Sequence, residues 1–188
     1  MAGMSEARAQ LVRAVARAVI EGDVRKVGID GVDGSGKTTF ADELGSELRS
    51  QNCPIERLHA DDFLNPQETR YRLGRRSPEG FWLDSYDLRA LASAVARPRD
   101  AVLVVDGLFL HRDEIVDLWD LSVFLDVPFE VSVPRLASRD GTEPDPLHES
   151  QKRYVEGQKI YFRECSPSTR ATLVIGNSDF ERPYLSRY

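Results

Sequence analysis

The chain has 188 residues, of which 41% are hydrophobic and 30% charged, ordinary globular composition that speaks against a disordered or membrane-embedded chain. Its 25 Lys and Arg against 31 Asp and Glu leave a net charge of -6, and that balance argues against a nucleic-acid duplex as main partner, because such binders carry a basic footprint. The length fits a single domain over residues 1–188, large enough to bury a core without metal or disulfide staples.

Along the chain, Leu11, Val12, Val15 and Val19, with Ala14 and Ala18, recur at helical spacing and predict an amphipathic helix over residues 5 to 21, ended by Gly22 and Asp23. Arg8, Arg13 and Arg17 interrupt that stretch, so it lacks the unbroken apolar region of a signal peptide. No segment approaches the roughly 20 apolar residues needed to cross a bilayer, and a cytoplasmic protein is expected. VRKVGID at 24–30 reads as a short strand entering GVDGSGKTTF at 31–40, and the residues after it carry Leu44 and Leu48 on one helical face. Further β-rich runs lie at 54–60, 101–107, 120–127 and 171–177, separated by helical patterns at 87–96, 111–119, 129–140 and 150–165. Strands alternating with helices, several of them nearly all apolar, predict an α/β fold with a parallel sheet covered on both faces. The segment 65–81 has no clean period and is rich in Arg, Pro and Gly, which reads as a functional loop. Cys53 and Cys165 have no C-x-x-C neighbour and read as free thiols.

Gly31, Gly36, Lys37 and Thr38 complete the pattern G-x-x-x-x-G-K-[ST] between a predicted strand and a predicted helix. In such a loop successive backbone N–H groups turn inward on phosphate oxygens, and the helix N-terminus adds its partial positive charge. Asp33, Gly34, Ser35 and Thr39 belong to the same cradle, which is expected to hold ATP, with Lys37 on the β/γ-phosphates and Thr38 on Mg²⁺. Asp106 ends the apolar run AVLVVDG and is a candidate second Mg²⁺ ligand, although a strand-end aspartate also serves as a turn former. HADDF at 59–63 offers Asp61 and Asp62, either of which could take a proton from an attacking hydroxyl or cap the next turn. Neighbouring residues leaving a strand point in opposite directions, so one of the pair should face the site. Arg135 and Arg139 share a helical face beside the polar stretch GTEPDPLHES, which predicts a lid over about residues 135–153, or else a solvated face. Phe63, Arg70, Tyr71, Phe81 and Trp82 would line an acceptor pocket or join the core. His59, His111 and His148 are scattered, and none is assigned a catalytic role.

Taken together, GVDGSGKTTF, HADDF, VVDGLFL, FLDVPFEVSVPRLASRD and RYVEGQKIYFRECSPSTRATLVIGN resemble, in this order, the uridine kinase-like group of P-loop kinases over about residues 25–177. The resemblance implies a P-loop nucleoside triphosphate hydrolase fold with about five parallel strands, helices on both faces and a small lid. It also implies transfer of the γ-phosphoryl group of ATP to a hydroxyl of a small molecule, most often a nucleoside. It assigns Asp61 as the catalytic aspartate and Arg135 and Arg139 as lid arginines. The chain departs from that pattern at Leu64, where the pyrimidine kinases carry tyrosine, and at Arg76, which meets their sugar-binding aspartate. The DDF run also resembles nicotinamide riboside kinases, and the plan is shared with pantothenate kinase, so a vitamin acceptor is the alternative. From another class, a regulatory P-loop ATPase without an acceptor would share the same loop.

Overall fold

The computed structural model describes residues 4–187. Ser5 caps the first helix, α1 (Glu6–Glu21), by accepting the Arg8 backbone N–H, and the helix buries Val12, Val15, Ala16 and Val19. β1 (Lys26–Gly31) then runs into the glycine loop and α2 (Lys37–Ser50), which buries Phe40, Ala41, Leu44 and Leu48. There follow β2 (Ile55–His59), α3 (Gln67–Arg70), α4 (Pro78–Asp84), α5 (Leu88–Val95), β3 (Val102–Asp106) and β4 (Leu121–Asp126). The chain ends in α6 (Phe129–Asp140), α7 (Lys152–Cys165), α8 (Pro167–Arg170), β5 (Leu173–Gly176) and β6 (Tyr184–Arg187).

The strands form one sheet in the order β2-β3-β1-β4-β5-β6. The first five run parallel, and β6 pairs antiparallel with β5. Because successive strand residues face opposite sides, Val102 and Val104 join one core with α1 and α2, whereas Leu103 and Val105 join a second core with Phe109, Trp82 and Tyr161. Both faces are therefore covered, and every residue of β3 is buried. The sixth strand departs from the expected five: all four of its residues are exposed, so no apolar pattern announces it.

Two segments differ from the sequence reading. Residues 111–119 carry a helical period but form only a 3₁₀ turn at Val116–Leu118. The N–H groups of Leu110 and His111 are bound instead by the Asp30 carboxylate and the Tyr161 hydroxyl, which takes the backbone out of a helical ladder. Conversely, 65–81 contains helical turns. Ser77 accepts the Gly80 N–H and Pro78 occupies the first helical position, a start signal for α4 that lies in the sequence itself. That helix packs against α7 at Gly157, where a Cβ would stand 2.8 Å from the Phe81 ring and 2.9 Å from the Pro78 carbonyl.

Candidate active site

Strand register builds the site. Asp106 lies level with Ile29 of β1 and His59 of β2, so the carboxyl ends of the three strands finish together and the glycine loop, Asp106 and the HADDF turn open on one edge. In the loop, Gly34 sits at φ 74°, and a Cβ there would collide with the Ser132 carbonyl; only glycine fits. Lys37 Nζ donates to the Val32 carbonyl at 2.8 Å. Thr38 Oγ1 donates to Asp106 Oδ2 at 2.7 Å. The other oxygen of Asp106 is held by Arg57 Nη2 at 2.6 Å and His59 Nδ1 at 2.9 Å, so this buried carboxylate is fixed from two sides. Beneath the loop, the Asp30 carboxylate accepts from the Gly31 and Leu110 N–H groups at 2.7 and 2.9 Å and from the Tyr161 hydroxyl at 2.5 Å, and contacts His111 Nδ1 at 2.8 Å. Burial first, and then the Asp30 charge, push the Tyr161 phenol well above its ordinary range, which keeps it a donor.

A cleft of about 320 Å³ lies over the loop, lined by Asp33, Gly34, Gly36, Lys37, Thr38, Thr39, His59, Asp61, Asp62, Asp106, Gly107, Leu108, Leu136 and Arg139. A second cavity of about 200 Å³ shares Asp33, Asp61 and Leu108 with it and adds Leu64, Arg70, Tyr71, Phe81, Ser85, Tyr86, Arg153 and Tyr154. Asp61 thus stands on the wall common to both. Its Oδ1 accepts from the Tyr86 hydroxyl at 2.7 Å, and Tyr86 is itself buried. Burial, with the Asp61 charge adding to it, pushes the Tyr86 phenol well above its ordinary value, so it stays protonated and donating. Asp33, on the same wall, has its carboxyl raised chiefly by burial; Lys37 opposes the shift and Asp61 reinforces it. Its backbone N–H donates to Gln158 Oε1 at 2.8 Å, which ties the loop to α7.

Several expected positions fall elsewhere. Asp61 and Asp62 do not leave a strand but lie in a 3₁₀ turn, Ala60–Phe63, where successive residues are a third of a turn apart. The alternation expected of a strand therefore does not apply, and both line the nucleotide-sized cleft, although only Asp61 also borders the second cavity. Gly31 and Ser35 are buried within the loop rather than lining the cleft. Arg139 reaches the cleft and pairs with Asp140 at 2.6 Å. Arg135 does not line it; its guanidinium lies 4.2 Å from the Phe180 ring and donates to the Asn177 carbonyl at 2.9 Å and to the Ser178 carbonyl. A helical face shared with Arg139 is not enough when the segment after β5 offers free carbonyls closer by.

Of the expected acceptor-pocket residues, Arg70, Tyr71 and Phe81 meet around the second cavity, whereas Phe63 and Trp82 do not line it. Trp82 is buried against Phe109 with the Arg112 guanidinium 4.1 Å from its ring, and Phe63 packs on the same cluster. The sequence assigns no role to Tyr86, Arg57, His59, Leu108, Gln158 or Tyr154, and it places Arg153 at the end of the expected lid rather than in the acceptor cavity. His59 carried a usable signal, since it ends a strand just before HADDF. Tyr86 carried none, because its partner is 25 residues away.

These residues suit a nucleotide with its metal. Thr38 and Asp106 bring two hard oxygens together at the loop, with Asp62 in the same cleft. Among the described residues no group of three His, Cys, Asp or Glu forms a metal cage. Mg²⁺ suits such a place because it takes one or two protein oxygens and leaves its other positions to water and phosphate. P-loop kinases use ATP, generally with Mg²⁺.

A mostly parallel sheet with a phosphate-cradling loop between β1 and α2 and an aspartate at the end of β3 defines a P-loop nucleotide-binding protein. A family model described as an AAA domain matches residues 27–156, and the chain belongs to that family. Human "Nicotinamide riboside kinase 2" is 31% identical over 145 residues, 64% of this chain and 60% of the relative. "Uridine kinase" of Leuconostoc citreum is 28% identical over 141 residues, 61% of this chain and 67% of the relative. The match thus spans about 60% of the human protein's length. The solved structure of a possible uridine kinase from Bacillus stearothermophilus superposes with a TM-score of 0.69 at 22% identity, covering 89% of this chain and 96% of that one, and shows the same fold. Among the described residues, no helix is long and apolar enough to cross a membrane.

Proposed function

We propose that the protein is an ATP- and Mg²⁺-dependent kinase of a small molecule, with the hydroxyl of a nucleoside-like compound as acceptor. The observation that carries this reading is the position of Asp61 on the wall shared by two cavities, one over the phosphate-binding loop and one lined by Arg70, Tyr71 and Phe81. The acceptor oxygen bonds to the γ-phosphorus as the bond from that phosphorus to the β,γ-bridging oxygen breaks. The hydroxyl proton passes to Asp61, and ADP leaves. Lys37 and the N–H groups of residues 32–39 hold the phosphates, and Thr38 and Asp106 would hold Mg²⁺, whose charge offsets that of the phosphate oxygens. Arg139 faces the transferred group from α6, and Tyr86 keeps Asp61 in one orientation. The relatives named as nicotinamide riboside kinase and uridine kinase support a sugar-bearing acceptor.

The test is an acceptor screen with ADP formation as readout, using nucleosides, vitamins and sugars with and without an anionic group. The kinase reading expects ADP release that depends on one acceptor class, with phosphate recovered on the acceptor. ADP release that proceeds at one rate with every acceptor and with none would make the protein an ATPase instead.

A further inference from the structure

Tyr71, at the end of α3, is surrounded by positive charge. The guanidinium carbons of Arg70, Arg75 and Arg153 lie 5.7, 4.8 and 4.9 Å from the centre of its ring. Among the described residues none of these three arginines has a carboxylate within 4.0 Å, whereas Arg72 and Arg112 nearby are each paired with one. Three like charges on one ring repel, and a ring face compensates each cation only weakly, so the cluster is electrostatically incomplete.

The three do not have equivalent roles. Arg153 is buried and spends its donors on the Arg70, Gly74 and Ser77 carbonyls, at 2.9, 3.2 and 3.0 Å, which fixes the 70–77 segment. Arg70 lines the same cavity as Asp61, and its buried Nε has no hydrogen-bond partner. An unpaired buried donor is costly, more so on a charged group, and this cost disappears when an acceptor arrives. Arg75 lies in a third cavity of about 340 Å³ that shares Arg153 and Tyr154 with the acceptor cavity and also contains His148 and Arg76, the latter facing Glu149 at 3.9 Å, whereas Arg75 has no carboxylate partner among the described residues. The charge along this path therefore changes from acidic at Asp33 and Asp61 to basic at Arg70 and Arg75.

We propose that the acceptor carries an anionic group, carboxylate or phosphate, at the end remote from the hydroxyl that it presents to Asp61, and that Arg70 binds this group with Arg75 beside it. The proposal rests on the kinase reading and narrows its substrate class. A guanidinium fork matches both anions in geometry, and the carboxylates of Asp33 and Asp61 repel an anion from the opposite end, which orients the acceptor.

The experiment fills the loop with Mg²⁺ and a non-hydrolysable ATP analogue, then titrates inorganic phosphate into the wild type, Arg70→Gln, Arg70→Lys and Arg75→Gln. Binding is followed by calorimetry and by the Arg70 Nε resonance. Saturable binding is expected in the wild type, weakened at least about tenfold by Arg70→Gln, partly restored by Arg70→Lys and weakened several-fold by Arg75→Gln at its exposed position. Analogue affinity should not change. No saturable phosphate binding, or equal binding in the wild type and Arg70→Gln, overturns the proposal. Matched acceptors, uridine against uridine 3′-monophosphate and glycerol against glycerate, supply the second arm. The charged member should have the higher kcat/KM, with the ratio collapsing in Arg70→Gln; a neutral member used as well as its charged partner overturns the proposal and leaves the kinase reading standing. If no acceptor of either kind is phosphorylated, the kinase reading fails, and the phosphate titration decides the anion site alone.

Discussion

Tyr86 lines the second cavity and is hydrogen-bonded to Asp61. Its hydroxyl is the donor that orients Asp61, so Tyr86→Phe should lower kcat by about tenfold while acceptor KM and ATP-analogue affinity barely move. A rise in acceptor KM alone would instead give Tyr86 a role in binding the acceptor rather than in orienting Asp61. Lys37→Ala should abolish transfer and leave the melting temperature nearly unchanged, because Nζ bonds only the Val32 carbonyl of its own loop; near wild-type turnover in the folded variant would remove the loop from the chemistry. Asp33 gives a pH-dependent prediction. Its carboxyl is raised in the folded state, chiefly by burial, so the folded form holds its proton more tightly than the unfolded form does. Deprotonation costs stability as pH rises through the ordinary aspartate value of about 3.9 and above it, until the raised value is passed. Asp33→Asn should therefore raise the melting temperature at pH 7, and the gain should vanish below about pH 3.9. An equal gain at both pH values would contradict the burial argument.

Among the elements, β1, α7 and the turn at 110–111 are joined at one point, the Asp30 carboxylate, which receives Gly31 and Leu110 N–H groups, the Tyr161 hydroxyl and His111. Asp30→Ala strands these buried partners and should destabilise the protein by about 3 kcal/mol or more, read as a lower denaturation midpoint at constant m. A loss under about 1 kcal/mol would show that water replaces the carboxylate. The stretch from α6 into α7 gives a dynamic prediction. Hydrogen exchange over residues 135–153 should slow with ATP analogue and acceptor together, because Arg139 lines the cleft from α6; unchanged exchange would count against a lid. The strands of the sheet interior were legible because both faces are covered and their apolar runs are local features. The strand β6, exposed throughout, had no such pattern. The 111–119 segment has helical period, but tertiary bonds from Asp30 and Tyr161 claim its backbone. The glycine loop and Asp106 were legible for the same local reason, whereas Tyr86 on Asp61 and Arg135 on Asn177 join positions 25 and 42 residues apart. No local pattern encodes those pairings.

For the whole molecule, three parallel strands ending level with one another bring the phosphate loop, Asp106 and Asp61 to one edge, and helices α4 and α7 enclose a second cavity on the far side of Asp61. The central claim is that phosphoryl transfer occurs across that shared wall with Asp61 as base. It is tested most directly by kcat and ATP-analogue affinity for Asp61→Asn and Asp62→Asn, measured with whichever acceptor the screen identifies. Asp61→Asn should lower kcat by about a hundredfold or more with analogue affinity nearly unchanged, and Asp62→Asn, which borders only the nucleotide cleft, should do much less. A larger loss for Asp62→Asn would move the base to Asp62, and small equal losses would contradict carboxylate catalysis at this wall.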